Sequence, residues 1–175
     1  MNKQRTIILY IGTSIDGYIA NEDGTLEWLE STEVEGDNGY NSLLERIDTV
    51  VMGKGTYDTI RGFDMDYPYS RYKNYVFSTS SSGSDEYASF INSDVKTFIK
   101  EIKQKPGKDI WLIGGGKLAH DFFKENVIDE FQLAIAPIVL GKGISLYTGE
   151  DITVKYTLAK AEKVGQLVML HYIKK

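Results

Sequence analysis

Short apolar runs rich in β-branched and aromatic residues recur along the first two thirds of the chain, and segments with helical spacing lie between them. Such runs are typical of buried strands, whereas apolar residues that return every three or four positions favour amphipathic helices. Strands are therefore predicted at residues 6–12, 49–52, 74–78 and 110–113. Helices are predicted at residues 40–47, 56–61, 93–103 and 117–125, with Ser93 as the N-cap of the third.

The final third has a different pattern, because strand-like segments follow one another there without a helix between them. They lie at residues 130–137, 153–161 and 167–173, and a turn around Gly165 joins the last two. Alternating strands and helices predict a parallel sheet, and consecutive strands predict antiparallel pairing. The expected fold is a single α/β domain over residues 1–175, with a mixed, mostly parallel central sheet, antiparallel C-terminal strands and about four flanking helices.

Composition and charge narrow the functional classes. The chain has 20 Lys and Arg against 25 Asp and Glu, and this net charge of -5 argues against a nucleic-acid surface. Cysteine is absent, which excludes thiol catalysis, thiolate zinc sites and disulfides, and no paired histidine and carboxylate spacing predicts a metal site. No apolar run reaches membrane-spanning length, and the apolar stretch near the N-terminus is too short for a signal peptide. A cytoplasmic protein without membrane contact is expected.

Three consecutive glycines, Gly114, Gly115 and Gly116, separate the fourth predicted strand from the helix that follows. Such a turn leaves the first N–H groups of the helix open to an anion. Glycine also accepts positive φ and lets the backbone approach a ligand that a Cβ would hold away. One glycine would serve a turn without a ligand, so three in a row favour a site for a phosphate-bearing cofactor.

A second strand end repeats this arrangement at residues 50–57, where glycines flank Lys54. Lysine is next to glycine again at Lys117 and at Lys142, and cations beside open backbone suit a polyanionic ligand. The alternative is that these are ordinary solvated lysines, above all Lys142 in its loop. Two glycine-rich strand ends match the rule for ligand sites in open α/β sheets, although neither is a Walker loop or a complete dinucleotide fingerprint.

Four segments, taken in order, resemble the dihydrofolate reductase-like fold, and together they cover nearly the whole chain. Residues 113–119, Ile-Gly-Gly-Gly-Lys-Leu-Ala, resemble its cofactor loop, and residues 52–57, Met-Gly-Lys-Gly-Thr-Tyr, resemble its Gly-Arg-x-Thr motif. Residues 14–20 and 23–29 are similar to the start of the bacterial branch related to the riboflavin-biosynthesis reductase, the RibD C-terminal domain. Residues 136–143, Ala-Pro-Ile-Val-Leu-Gly-Lys-Gly, resemble the segment that separates this branch from true dihydrofolate reductases.

The resemblance implies an NADPH site, with NADH as the alternative because Lys54 replaces an arginine and loses its bidentate geometry. The implied cofactor residues are Gly12, Thr13, Ile19 and Ala20 at the nicotinamide pocket, Gly53, Lys54, Gly55 and Thr56 at the phosphates, Ser78 and Thr79 at the adenosine ribose and its phosphate, and Ile113, Gly114, Gly115, Gly116, Lys117 and Leu118 at the pyrophosphate and nicotinamide side. The resemblance also implies a cis peptide between Gly114 and Gly115.

Hydride transfer is the chemistry of the nicotinamide itself, so the protein must supply alignment and a dry pocket, and a carboxylic acid is the usual proton donor. Asp37, ahead of the helix predicted at residues 40–47, is the nearest counterpart of the dihydrofolate reductase acid, and its alternative is a helix N-terminal charge. Asp23 and Asp16 are further candidates beside the nicotinamide pocket, although Asp16 precedes a glycine and could be a turn residue. Trp28 is expected to pack the substrate loop, with surface packing alone as its alternative.

The resemblance therefore implies NADPH-dependent hydride transfer to a small heterocyclic or sugar-derived carbonyl or imine, as in the 5-amino-6-(5-phosphoribosylamino)uracil reductases. Two alternatives stay open: a nicotinamide-nucleotide-binding module without catalysis, acting as a sensor or assembly partner, and, less favoured, a dihydrofolate reductase. The substrate pocket is expected in loops at residues 27–38 and 65–72. A homodimer is expected from the resemblance and from the apolar strand at residues 167–173, which would otherwise be an exposed sheet edge.

Overall fold

The computed structural model describes residues 4–149 and 152–175, which contain ten strands and five helices. In chain order they are β1 (Ile7–Thr13), β2 (Tyr18–Ala20), α1 (Glu27–Glu30), α2 (Tyr40–Arg46), β3 (Ile47–Gly53), α3 (Lys54–Arg61), β4 (Lys73–Phe77), β5 (Ala88–Ile91), α4 (Val95–Gln104), β6 (Asp109–Gly114), α5 (Gly116–Lys124), β7 (Glu130–Ile135), β8 (Ile144–Ser145), β9 (Tyr156–Val164) and β10 (Leu167–Lys174). The predicted α/β class is confirmed.

Eight of the strands form one sheet in the order β5-β4-β3-β6-β1-β7-β10-β9. The first six in this order run parallel, and β10 pairs antiparallel with both β7 and β9. The predicted mixed sheet with antiparallel C-terminal strands is therefore confirmed. The expectation that residues 167–173 form a sheet edge was wrong, because β9 pairs with the outer side of β10 and is itself the edge strand.

Helices cover both faces of the sheet, which explains why its central strands are apolar at successive positions. Along β1, Ile7 and Leu9 pack in the cluster that contains α4 and α5, whereas Ile8 packs in the cluster that contains α2 and α3. The same alternation along β6 places Leu112 with α5 and Trp111 with α3. The core thus lies in two layers, one on each side of the sheet.

Some elements were missed in the sequence because they are short and depend on distant partners. β5 forms in a serine-rich stretch where it pairs with β4, and β2 pairs with β8, more than a hundred residues away. α1 is a single turn. The N-cap of α4 is Asp94, whose carboxylate accepts a hydrogen bond from the backbone N–H of Thr97 at 2.9 Å. The assignment of this cap to Ser93 was therefore wrong by one residue.

The topology opens a crevice between the carboxyl ends of β3 and β6, which are parallel neighbours. α3 follows β3 and packs on one face of the sheet, whereas α5 follows β6 and packs on the other face. Connections that leave neighbouring strands toward opposite faces leave the space between those strand ends uncovered. The two glycine-rich segments of the sequence lie at these two strand ends.

Membrane crossing by a helix can be judged from helix length. α4, with 10 residues, is the longest helix in the described part of the chain, and at 1.5 Å per residue it extends about 15 Å. The hydrocarbon core of a bilayer is about 30 Å thick. Accordingly, none of the helices in residues 4–149 and 152–175 has the length and apolar character to cross a membrane.

Candidate functional site

A cleft of about 1230 Å³ lies at the carboxyl ends of the parallel strands, over the crevice between β3 and β6. Most of the predicted cofactor residues line it: Gly12, Ile19, Ala20, Gly53, Lys54, Gly55, Thr56, Ser78, Thr79, Ile113, Gly115, Gly116, Lys117 and Leu118. Thr13 and Gly114 do not line the cleft but are buried just behind it, next to lining residues. The fold therefore brings together four segments that are far apart in the sequence.

The N-termini of α3 and α5 meet inside this cleft. A Cβ placed on Gly115 would lie 3.4 Å from Oγ1 of Thr56 and 3.9 Å from Cα of Gly53. Neither helix has a side-chain cap, so the first backbone N–H groups of both remain free of capping side chains. Two adjacent helix N-termini carry two partial positive charges, which makes this part of the cleft suited to a pyrophosphate.

Glycine is required at three consecutive positions before and within α5, for different structural reasons. Gly114 and Gly115 have φ of 138° and 98°, which side chains rarely adopt. Gly116 has no room for a side chain, because a Cβ there would lie 2.1 Å from the carbonyl oxygen of Ser145 in β8. Peptide bonds are trans throughout the described residues, so the implied cis bond between Gly114 and Gly115 was wrong. The two positive φ angles turn the chain there instead.

The lysines next to glycine differ in their surroundings. Lys54 and Lys117 line the cleft, and Nζ of Lys54 lies 2.7 Å from Oδ2 of Asp58 one turn along α3. Lys142 lies outside the cleft and forms an exposed ion pair with Glu22 at 2.8 Å. The first two thus contribute positive charge to the cleft, whereas Lys142 belongs to the loop before β8.

Hydroxyl groups border the cleft where β4 ends. Ser78 is buried, and its Oγ accepts hydrogen bonds from the backbone N–H groups of Ser80 at 3.2 Å and Ser81 at 2.9 Å. These bonds hold the turn after β4 in one conformation, with Ser78 and Thr79 at the cleft. Such a turn offers neutral donors and acceptors for a ribose or a phosphate oxygen.

The predicted acid Asp37 does not line the cleft. Its carboxylate accepts hydrogen bonds from the backbone N–H groups of Asn41 at 2.8 Å and Gly39 at 3.1 Å, at the start of α2. These bonds, first the one from Asn41, lower the pKa of Asp37 below its usual value. A general acid needs a raised pKa, so these surroundings suit the helix N-terminal alternative.

Asp16 also lies outside the cleft, and it joins two turns. Its carboxylate accepts from the Ser14 hydroxyl at 2.7 Å and from the backbone N–H groups of Leu140 at 3.1 Å and Gly141 at 2.7 Å. The hydrogen bond from Ser14 is the main reason that the pKa of Asp16 is lowered. The residue therefore ties the loop after β1 to the loop after β7.

Asp23 is the predicted acid that does line the cleft. Its Oδ1 accepts from the hydroxyl of Thr25 at 2.6 Å and from the backbone N–H of Thr25 at 3.0 Å. The hydroxyl first, and then the N–H, lower the pKa of Asp23. At neutral pH this side chain is consequently an anion at the edge of the cleft.

Trp28 packs away from the cleft, in a cluster with Ala134, Ala136, Leu167 and Met169. Its indole Nε1 is buried and has no hydrogen-bond partner among the described residues. The next residue, Leu29, lines the cleft instead, and its Cδ2 fills the space where a Cβ on Gly12 would lie. The tryptophan thus supports the segment that carries Leu29.

An apolar wall of the cleft was predicted only in part, because Leu29 and Tyr69 lie in the loops expected to form the substrate pocket and its other members do not. It consists of Tyr10, Leu29, Ile60, Phe63, Tyr69 and Trp111, and is called the aromatic wall below. Trp111 is its centre, with ring centroids 5.4 Å from Tyr69 and 6.2 Å from Tyr10 in edge-to-face arrangements. Side chains alternate between the two faces of a strand, so Tyr10 lies on the same face as Gly12, and Trp111 on the same face as Ile113. This alternation could have indicated two members of the wall from the predicted cofactor residues.

Comparison with known proteins shows which molecules share this architecture. Residues 5–170 match the family model of the RibD C-terminal domain. The chain is 41% identical over 172 residues to the uncharacterized protein YwjB of Bacillus subtilis, which covers 98% of this chain and 99% of that protein. A solved structure from Shewanella sp. PV-4, of a protein assigned to riboflavin biosynthesis, is 32% identical with a TM-score of 0.88, over 97% of this chain and 99% of that chain.

Dihydrofolate reductase has the same fold at much lower sequence identity. The enzyme from Enterococcus faecalis, complexed with NADP(H) and RAB-propyl, has a TM-score of 0.68 and 13% identity, over 100% of this chain and 99% of that chain. This similarity supports the fold alone. It confirms that the domain described above is dihydrofolate reductase-like.

Proposed function

The chain belongs to the family of RibD C-terminal domains, and from this premise we propose that it is an NADPH-dependent reductase of a small heterocyclic or sugar-derived carbonyl or imine. The observation that supports this most is the meeting of two uncapped helix N-termini, with Gly115 against Thr56, at the switch point of the sheet. Adjacent sets of open N–H groups suit the two phosphates of a dinucleotide. The residues present therefore fit the cofactor that the fold family implies.

The proposal assigns a binding task to each side of the cleft. The backbone at Gly53–Thr56 and at Gly115–Leu118 would hold the pyrophosphate, with Lys54 and Lys117 adding positive charge. Ser78 and Thr79 would hold the adenosine ribose and its phosphate. Gly12, Ile19 and Ala20 would form the nicotinamide pocket, where the absence of a side chain on Gly12 makes room for Leu29 of the aromatic wall.

The reaction requires little acid–base chemistry from the chain. When bound, the reduced nicotinamide supplies a hydride to the carbonyl or imine carbon, and a proton completes the reduction at the oxygen or nitrogen. Asp23 lines the cleft, but the hydrogen bonds from Thr25 that lower its pKa keep it ionised. In this proposal water delivers the proton, and the side chains act by aligning the substrate with the cofactor.

One observation favours the binding-module alternative. Asp37, Asp16 and Asp23 all have lowered pKa values, and hydrogen bonds from neighbouring residues occupy each carboxylate. A protein that binds the nucleotide without turnover needs no proton donor. The dihydrofolate reductase alternative is less favoured, because Asp37 does not line the cleft.

Cofactor binding is tested by titrating NADPH while recording tryptophan fluorescence, since Trp111 lines the cleft and is 4% exposed. We expect saturable quenching in the wild type and none in Gly115→Asp, which adds bulk and negative charge at the helix N-termini. Gly36→Asp is the matched control, because Gly36 also has positive φ (82°) but faces open space. Absence of wild-type binding at millimolar NADPH would overturn the proposal.

Turnover is tested separately, by following loss of nicotinamide absorbance with a panel of pterins and pyrimidine sugars. Oxidation of NADPH by any of them identifies a reductase. Saturable NADPH binding without oxidation by the whole panel identifies the binding module. Melting temperatures of both variants show whether a loss of binding reflects a loss of folding.

A further inference from the structure

We infer that the substrate side of the cleft accepts an uncharged, planar heterocycle and disfavours a phosphorylated sugar derivative of the same ring. This inference rests on the proposed function and names the substrate class of that site. Three features carry it: where the cations of the cleft lie, what the neighbouring arginines contact, and how the aromatic wall is built.

The cations that line the cleft are Lys54, Lys117 and Lys124, and all lie on α3 or α5. Lys54 begins α3, and its Nζ is held by Asp58 at 2.7 Å. The aromatic-wall residue Ile60 lies six positions along this helix, which corresponds to about 9 Å. Lys54 and Lys117 thus lie at the helix N-termini and Lys124 at the end of α5, whereas the aromatic wall, among the described residues that line the cleft, contains no cation.

Two arginines lie close in sequence to the aromatic wall, but neither lines the cleft. Arg61 follows Ile60, and its guanidinium stacks on the ring of Tyr87 at 4.5 Å. Arg71 lies two residues after Tyr69, and its guanidinium stacks on Tyr72 at 4.9 Å. Arginine is the usual bidentate partner of a phosphate, so the groups that could have bound one face tyrosine rings instead.

The cleft also contains negative charge. Asp23 lines it, and both of its hydrogen bonds from Thr25 stabilise the ionised carboxylate. A phosphate transferred from water to an aromatic wall without a cation loses hydration without compensation, and the Asp23 carboxylate adds no positive charge to the cleft. The site therefore selects against a phosphorylated substrate and does not penalise a neutral one.

The aromatic wall is preorganised for a flat ring. Edge-to-face contacts hold Trp111 against Tyr10, Tyr40 and Tyr69, at centroid distances of 6.2, 5.8 and 5.4 Å. Phe63 is 43% exposed, which leaves a large apolar side chain for a ligand to cover. Burial raises the pKa of Tyr69, so its phenol stays protonated and can donate to a carbonyl oxygen or ring nitrogen.

The test uses two matched pairs of ligands: 7,8-dihydroneopterin with its 3′-triphosphate, and 5-amino-6-(ribosylamino)uracil with its 5′-phosphate. Calorimetry on the full chain, with and without NADP⁺, measures affinity whether or not turnover occurs. We expect the unphosphorylated member of at least one pair to bind about tenfold or more tightly than its phosphorylated partner. Equal or tighter binding of the phosphorylated member in both pairs, or no binding by any of the four, would overturn the inference.

A charge substitution in the aromatic wall tests whether the lack of a cation there causes the preference for the unphosphorylated ligand. Phe63→Lys places a cation at the exposed rim of the wall and should move the affinity ratio toward the phosphorylated member by about tenfold. Met65→Lys is the matched control, because Met65 is 63% exposed and does not line the cleft. An equal change in both variants would show that general electrostatics, not the wall, sets the preference, and would contradict the inference.

Failure of the proposed function gives a different result. It appears as absence of NADPH binding, or as NADPH binding with no oxidation by any ligand. Failure of the inference appears as equal or tighter binding of the phosphorylated members, or as no binding of any of the four ligands, by a chain that binds NADPH normally.

Discussion

Nζ of Lys54 lies 2.7 Å from Oδ2 of Asp58, so the lysine at the start of α3 is paired within its own helix. An exposed pair of this kind contributes little to stability, but it lowers the positive charge available to a phosphate. We predict that Asp58→Asn tightens NADPH binding by roughly two- to fivefold and that Lys54→Gln weakens it by a similar factor. Both factors correspond to the interaction energy of about one exposed charge.

Affinities measured at low and high salt check this prediction, because both effects should shrink as salt screens them. Glu22→Gln is the control, since Glu22 pairs with Lys142 outside the cleft. Equal NADPH affinity of wild type, Asp58→Asn and Lys54→Gln at low salt would show that Lys54 does not face the cofactor.

A second prediction concerns the packing of α5 against β8. Gly116→Ala should lower the free energy of unfolding by about 2 to 3 kcal/mol, because its Cβ would lie 2.1 Å from the carbonyl oxygen of Ser145. Gly55→Ala is the matched control at the start of α3, where nothing lies within 4 Å of the added Cβ. Its stability should be unchanged or raised by up to about 1 kcal/mol. Urea unfolding of the three proteins gives the comparison.

A third prediction concerns acid stability. Burial opposes ionisation of Glu130, but hydrogen bonds from Arg46, with the 2.7 Å contact to Oε1, outweigh it and lower the pKa of Glu130. A lowered folded-state pKa means that this stabilisation is present above the unfolded pKa and is lost as pH falls through the folded pKa. Arg46 also pairs with Asp109, and His171 lies 3.2 Å from Glu130, so the carboxylate faces two groups of positive or potentially positive charge.

Glu130→Gln should therefore lower the free energy of unfolding at pH 7 by about 1 to 2 kcal/mol, after discounting for partial exposure. The difference from wild type should shrink as pH falls from about 5 toward 3. Denaturant unfolding at several pH values measures it. Glu162→Gln, which removes an exposed pair with Lys160, should show little difference at any pH, and a pH-independent deficit in Glu130→Gln would contradict the assignment.

The fourth prediction concerns oligomeric state. β9 is one of the two edge strands of the eight-stranded sheet, and Leu158 on it is 53% exposed. An edge strand with unpaired backbone groups and an exposed apolar side chain favours pairing with a second copy. We predict a two-fold dimer across β9, which Leu158→Glu should shift to monomer, whereas Val139→Glu, 66% exposed and outside β9, should not. A monomer mass for the wild type by light scattering at micromolar concentration would contradict this.

The parallel sheet and its glycine-rich strand ends could be predicted because local pattern carries them. Ile7, Ile8 and Leu9 are apolar at successive positions since both faces of β1 are covered. Gly114 and Gly115 mark a turn with positive φ, which few other residues adopt. Where a segment's own backbone geometry or burial requires a residue type, the sequence reveals the segment.

The aromatic wall could be predicted only in part: Leu29 and Tyr69 fall in the loops expected to form the substrate pocket, but its other members come from separate segments that share no local pattern. Tyr69 lies in a loop, yet it reaches Trp111 on β6 at 5.4 Å. The same limit applies to the acids: Asp16 sits beside a predicted pocket in the sequence, but its hydrogen bonds from Leu140 and Gly141 arise only after β1 and β7 have paired.

The sequence by itself thus determined the α/β alternation, the two glycine-rich strand ends and the absence of thiol chemistry, since these depend on residue type and on neighbours along the chain. Only the tertiary structure decided that α3 and α5 begin side by side, that β9 and not β10 is the edge, and that Arg61 stacks on Tyr87 away from the cleft. These contacts join residues that are far apart in the sequence, or they depend on which side chain packs beside another. They are therefore determined by the packing of the folded chain and not by local sequence.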